Sequence, residues 1–324
     1  MKQFISAFSL AVIISFGILI YTGIYFDIPR EKLEKKYALG PSAFLMLNDG
    51  SRIHYRDEGA NDESIILMLH GFNGSLFNFE SLVSLLKSHH RVVTIDLPGF
   101  GLTGSIPKSS YTFETYFEVI TALSNHLNIE EFSILGNSMG GGIAWRYALK
   151  YPEIVSNVIL LSSSGFEDTY QKKELNREDD QRPIAWRLMS STVIRFFLSY
   201  YTPKFFATQG LKTSVFDQSL ATKELAHQFH ELTLLEGSRK AILSRLSNQR
   251  GGNEDIKFPK EFKMRALIIH GKEDKIIPFE SSLNLAGYFK NPVVKIYDNI
   301  GHLPMIEDPE KVANDVNLFL KVKI

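Results

Sequence analysis

With 324 residues, the chain is long enough for one α/β domain carrying an insertion. Hydrophobic residues at 44% and charged residues at 22% exclude an intrinsically disordered chain, and 36 basic against 36 acidic residues leave no basic excess to attract nucleic acid. The absence of cysteine excludes disulfides, a thiol nucleophile and Cys-ligated zinc or iron–sulfur centres.

The first element is an uncharged run from Phe4 to Phe26. A helix needs roughly 20 mostly apolar residues to cross a bilayer core. The run therefore predicts a transmembrane anchor over residues 1–26, with Tyr21, Tyr25 and Phe26 at the interfacial belt. Thr22 to Phe26 offers no small-residue cleavage site, which argues against a signal peptide. Arg30, Lys32, Lys35 and Lys36 follow the run, and counting them would keep the catalytic domain cytoplasmic. A long domain translocates largely regardless of flanking charge, and the short tail bearing Lys2 suits an anchor whose amino terminus stays inside. The expectation is a single-pass membrane protein with its domain on the extracytoplasmic side in preference to the cytoplasmic one. Residues 27–42 read as a juxtamembrane linker.

Ala43–Leu47 and Arg52–Arg56 flank Asn48-Asp49-Gly50, and Asp-Gly between alternating segments predicts a hairpin. Apolar strands at Ile65–Leu69, Val92–Ile95, Phe132–Leu135 and Val158–Leu161 then alternate with helices at Phe77–Leu86, Phe113–Leu127 and Ser138–Leu149. Short continuous apolar strands separated by helices imply a mostly parallel central sheet covered by helices. Strand character stops near Phe166 and resumes at Ala266–Ile269 and Val293–Tyr297, before a last helix opened by Asp308-Pro309. The predicted fold class is α/β, with a core over 43–166 and 264–324 and a helical cap over 167–263. Cap residues from Trp186 to Phe206 are rich in aromatics and suit cap packing, an apolar wall above a substrate, or a face that touches the bilayer.

Gly136-Asn137-Ser138-Met139-Gly140 is a G-x-S-x-G pattern between a strand and a helix. A free serine hydroxyl is a weak nucleophile, and a sharp glycine-flanked turn is one way to expose it to a base. His70-Gly71-Phe72 follows an earlier strand, so the N–H groups of Phe72 and Met139 are the candidate oxyanion donors. Asp274 follows the strand ALII, where α/β sheets place their sites, and Gly301-His302 follows VVKIY. The order Ser138, Asp274, His302 suits this fold. Glu273 and Asp168 are the competing acids. His70 reads as a loop support. His227 and His230, three residues apart on a helix, lack further metal donors and read as surface positions.

HGFNGS at 70–75, DLPGFG at 96–101, GNSMGG at 136–141, GKEDKIIP at 271–278 and GHLPMIEDPE at 301–310 together resemble the cap-bearing branch of the α/β-hydrolase superfamily, from about Ala43 onwards. The resemblance implies a catalytic triad of Ser138, Asp274 and His302, oxyanion donors at Phe72 and Met139, and neither a metal nor an organic cofactor. GNSMGG and the apolar amino terminus resemble bacterial membrane-associated lipases and esterases and monoacylglycerol lipases. GNSMGG also occurs in carbon–carbon bond hydrolases of aromatic ring degradation. Those usually carry Gly-Pro-Gly in the oxyanion loop and Trp after the histidine, where this chain has Phe72-Asn73-Gly74 and Leu303. The expected function is a serine hydrolase of carboxylic esters, lipid-like or otherwise apolar, with a membrane contact through the amino-terminal helix. The alternatives are an acyltransferase, a carbon–carbon bond hydrolase, or a silent binding protein on the same fold.

Overall fold

The computed structural model describes residues 17, 21–59, 64–165, 196–197, 199–247 and 261–321. Helix α1 (Arg30–Tyr37) precedes strands β1 (Ser42–Met46), β2 (Arg52–Glu58) and β3 (Ile65–Leu69). After a 3-10 turn at Leu76–Phe79 come α2 (Glu80–Leu86), β4 (Arg91–Ile95), α3 (Phe113–His126), β5 (Phe132–Asn137), α4 (Met139–Lys150) and β6 (Val155–Leu161). The cap supplies α5 (Lys204–Ser214), α6 (Lys223–Thr233) and α7 (Ser238–Ser247). The chain returns through β7 (Arg265–Gly271), α8 (Glu280–Ala286), β8 (Val293–Tyr297), α9 (Pro304–Glu307) and α10 (Pro309–Lys321).

The strands form one sheet in the order β1-β2-β4-β3-β5-β6-β7-β8. The β1–β2 and β2–β4 pairs are antiparallel, and every later pair is parallel. Successive strand side chains point to opposite faces, and β3 shows the result. Ile65, Leu67 and Leu69 join one core with α3 and α4, while Ile66 and Met68 join the other with α2 and α10. Both faces are thus covered, which is why β3 is buried at every residue. The parallel order brings the carboxyl ends of β3, β5 and β7, and the loop after β8, to one edge.

One expectation fails at the amino terminus. Among the described residues, no helix is long and apolar enough to cross a membrane. That overturns the transmembrane helix, and with it the single-pass anchor, the membrane contact and the membrane localisation built on it. Most of the uncharged run, residues 1–16 and 18–20, lies outside the described residues. At its described end the side chains of Tyr21, Ile24 and Phe26 are exposed, while the backbone of residues 24 and 25 and the Tyr25 ring meet the cap. Ile24 bridges Tyr201, the Tyr25 N–H donates to the Tyr200 carbonyl at 2.9 Å, and the Tyr25 ring meets His230 edge-on at 4.6 Å. The Arg239 guanidinium donates to the Tyr25 carbonyl at 2.7 Å and pairs with Asp27. Beyond them α1 buries Leu33 to 1% exposure against Leu76, Leu102, Leu232 and Leu235, so the segment read as a linker is packed on core and cap. Apolarity alone does not say whether lipid or protein will cover a side chain.

Within the cap, His227 is near the surface beside Glu231, but His230 is buried and bonds the Thr202 carbonyl at 2.7 Å. Of the aromatic segment, Phe196, Phe197, Phe205 and Phe206 are exposed, and residues 186–195 lie outside the described residues.

Candidate active site

Ser138 sits between β5 and α4 with φ 53° and ψ −118°. A non-glycine residue at positive φ is strained, and such strain persists only where the surroundings over-determine it. The constraints are visible. The Ser138 N–H donates to the Leu161 carbonyl at 3.0 Å, extending the pairing with β6. Its carbonyl accepts from Gly142 at 3.0 Å and from Ser164 at 3.1 Å, opening the helix in the same residue. The flanking glycines allow the chain to fold back on itself. A β-carbon at Gly136 would lie 2.3 Å from the Gly140 carbonyl oxygen, and one at Gly140 would lie 2.2 Å from that of Leu69.

The loop after β3 lies against this elbow. A β-carbon on Gly71 would stand 3.0 Å from the Ser138 β-carbon. Gly74 N–H closes a turn onto the Gly71 carbonyl at 3.1 Å, with Asn73 at φ 55°. Phe72, the residue after Gly71, therefore stands beside the elbow, and its ring meets Phe100 edge-on at 5.4 Å. Met139 is the first residue of α4, where helix N–H groups have no intrahelical acceptor.

His70 braces that loop. Its Nδ1 lies 2.7 Å from the Gly71 carbonyl oxygen, and its Nε2 accepts the Leu97 N–H at 3.0 Å. Those partners fix a neutral imidazole protonated at Nδ1. Burial lowers the His70 pKa below the usual histidine value. The unfolded chain then binds the proton more readily, so stability is lost as pH falls through about 6.5. The slope from this one residue is at most about 1.4 kcal/mol per pH unit. Thermal melts should show wild type losing stability between about pH 7 and 5, and His70→Asn declining less steeply from a lower start. Parallel declines would show that His70 does not carry the effect.

At the far side of the elbow, His302 Nδ1 lies 2.6 Å from Asp274 Oδ2. Asp274 is held at the end of β7 by its own loop, its Oδ1 accepting the N–H groups of Ile276 at 2.8 Å and Ile277 at 3.0 Å. Burial opposes its charge. The donors from His270, His302 and the Ile277 backbone outweigh burial and hold the carboxyl well below its ordinary range. A carboxylate acceptor on Nδ1 orients the ring and leaves the Nε2 lone pair turned away from Asp274. Glu273 does neither: its carboxylate accepts the Ile300 N–H at 3.2 Å. Asp168 lies outside the described residues.

Contacts that the motifs did not announce fix the backbone of His302 and of its neighbours. Its N–H donates to the Ser214 carbonyl at the end of α5, at 2.7 Å. Its carbonyl accepts from Asn137 Nδ2 at 3.1 Å, and the same amide donates to Leu161 at 3.0 Å. Glu307 accepts N–H groups from Gly301, Leu303 and Phe216. Burial pushes the Glu307 carboxyl up despite those three donors. The His302 loop is thus tied to the end of β5 on one side and the cap on the other. Asn137 and Glu307 sit inside quoted motifs, so the letters were visible although their contacts were not.

Comparisons with known proteins agree with this architecture. A family model described as alpha/beta hydrolase fold matches residues 64–309. An uncharacterised hydrolase of Bacillus subtilis is 27% identical, across 84% of this chain and 96% of its own. A 2-hydroxymuconate semialdehyde hydrolase of a Pseudomonas species is also 27% identical, across 84% of this chain and 91% of its own. Among solved structures, a meta-cleavage product hydrolase from Pseudomonas fluorescens superposes with a TM-score of 0.67 at 26% identity, covering 87% of this chain and 97% of that one.

Proposed function

The chain belongs to the α/β-hydrolase fold family, and from that premise we propose that it is a serine hydrolase working through Ser138, His302 and Asp274. The observation that carries the reading is the strained Ser138 elbow on the same sheet edge as a histidine held 2.6 Å from a buried carboxylate. In this reading His302 takes the serine proton as Ser138 Oγ attacks a carbonyl carbon. The Phe72 and Met139 N–H groups receive the developing oxyanion. His302 then protonates the leaving group, and water activated by the same ring releases the acyl fragment.

The bond broken is first read as carbon–carbon. Similar proteins named for meta-cleavage products and 2-hydroxymuconate semialdehyde support it. A carbon leaving group departs only if its electron pair is delocalised, so the substrate would be a conjugated 2-hydroxy-6-oxo-dienoate or a compound of that type. Ester cleavage is the second reading, favoured by Phe72-Asn73-Gly74 in the oxyanion loop and Leu303 after His302. A stabilised alkoxide leaving group needs no conjugation.

A matched panel separates the two: a synthetic 2-hydroxy-6-oxo-dienoate and p-nitrophenyl esters of several chain lengths, compared by kcat/KM. The first reading expects the dienoate to lead by about tenfold or more. The reverse order would leave ester hydrolysis standing. Failure to turn over either, with no labelling by a fluorophosphonate, would remove the serine-hydrolase reading altogether.

A further inference from the structure

We infer that His270 is a positioning residue of the candidate triad, holding Asp274 in place and tempering the basicity of His302 through the carboxylate that the two histidines share. The inference rests on the triad reading above. Asp274 Oδ2 receives two imidazoles: His302 Nδ1 at 2.6 Å and His270 Nε2 at 3.0 Å. His270 Nε2 also lies 3.0 Å from the Ile277 carbonyl oxygen. Both groups facing Nε2 are acceptors, so that nitrogen carries the proton. On the other side of the ring Nδ1 lies 2.6 Å from Ser282 Oγ. The Ser282 hydroxyl can donate into the Nδ1 lone pair, which completes a neutral ring with both nitrogens satisfied. His270 and Ser282 are both fully buried, on β7 and in the first turn of α8.

The consequence follows from shared charge. Every donor that stabilises a carboxylate makes it a weaker base. Asp274 has four such donors: two imidazoles and the N–H groups of Ile276 and Ile277. With His270 in place, the carboxylate stabilises a positive His302 less than it otherwise would. Removing His270 makes Asp274 a stronger acceptor, favours the His302 imidazolium and raises the pH at which His302 becomes a base. The other ionisable groups around His302 act from further round the loop. Glu307 binds the backbone of Gly301 and Leu303, Glu273 binds that of Ile300, and Lys272 pairs with Asp298 on the surface. A purely structural His270 would lower the rate without moving this pH dependence.

The test is the second-order rate constant for inactivation by a fluorophosphonate, measured from about pH 5 to 9, which reads the activated serine without knowledge of the substrate. His270→Phe should cut the plateau about tenfold and move the acid limb upward by about one pH unit. His270→Gln keeps an N–H donor towards Asp274 and should return the limb to within a few tenths of wild type. Should the Phe ring not fit, Ser282→Ala removes only a hydroxyl. It should move the limb the same way by less, because a hydrogen bond into Nδ1 strengthens the Nε2–H donor. An unmoved limb in His270→Phe, or in Ser282→Ala where the former does not fold, overturns the inference, as does a Gln variant displaced as far as Phe. If the wild type is not labelled, or Ser138→Ala is labelled equally, the triad reading itself fails and takes this inference with it.

Discussion

Ser138→Ala should abolish hydrolysis, by about 10⁴-fold or more, while leaving the fold intact. The structural work at this position is done by the main chain. The N–H bonds Leu161, and the carbonyl receives Gly142 and Ser164. Alanine keeps all three. It also keeps the β-carbon, so the strain at φ 53° is the same in both proteins and cancels in the comparison. What is lost is the hydroxyl oxygen to which the proposed mechanism gives the attack. Thermal melts should agree within a few degrees, while turnover of the best panel substrate falls to background. Retention of a tenth of the wild-type rate by a folded variant would show that another group performs the attack.

The middle of the sheet was legible because both of its faces are buried: β3 reads as five apolar letters. β8, a partly exposed edge strand, was legible from its β-branched residues in VVKIY, and both strands fall on the residues expected. The start of β6 was missed because Ser156 and Asn157 are polar, yet Asn157 pairs with Ser133 and Arg265 across the sheet. The amino terminus misled for a different reason. Hydropathy records that Tyr25 avoids water but not that His230, more than two hundred positions on, supplies its cover. His230 was misplaced at the surface by the same blindness. In the site, the letters Ser138, Asp274 and His302 stood out because each closes a short motif after a strand. Asn137, Ser214, His270 and Glu307 did not, because they act on backbone groups or through a second side chain. Their partners are set by the meeting of β5, β7, α5 and the loop after β8, which no single stretch of sequence contains.

Asp274→Asn should cost up to about 10⁴ in kcat/KM, and the four donors around the carboxylate say why. A carboxylate offers acceptors on both oxygens, whereas an amide offers one oxygen and one NH₂ group. If the Asn oxygen turns to the N–H groups of Ile276 and Ile277, its NH₂ faces His302 and His270. His302 must then present a lone pair at Nδ1 and carry its proton on Nε2, where it can no longer accept one from Ser138. If the amide flips, its NH₂ opposes two backbone N–H groups; Ile276 is exposed and its N–H can turn to water, but the one at buried Ile277 is left without an acceptor at about 1–3 kcal/mol. Either orientation is penalised, so the variant should lose activity and some stability together. Glu273→Gln is the control, because that carboxylate serves Ile300 and not the histidine ring. It should retain activity within about threefold, given the modest worth of one hydrogen bond at a loop backbone. Asp168→Asn tests the other acid that the sequence allowed. Measured on the same substrate, a loss at Glu273 or Asp168 larger than that at Asp274 would transfer the third member of the triad to that residue.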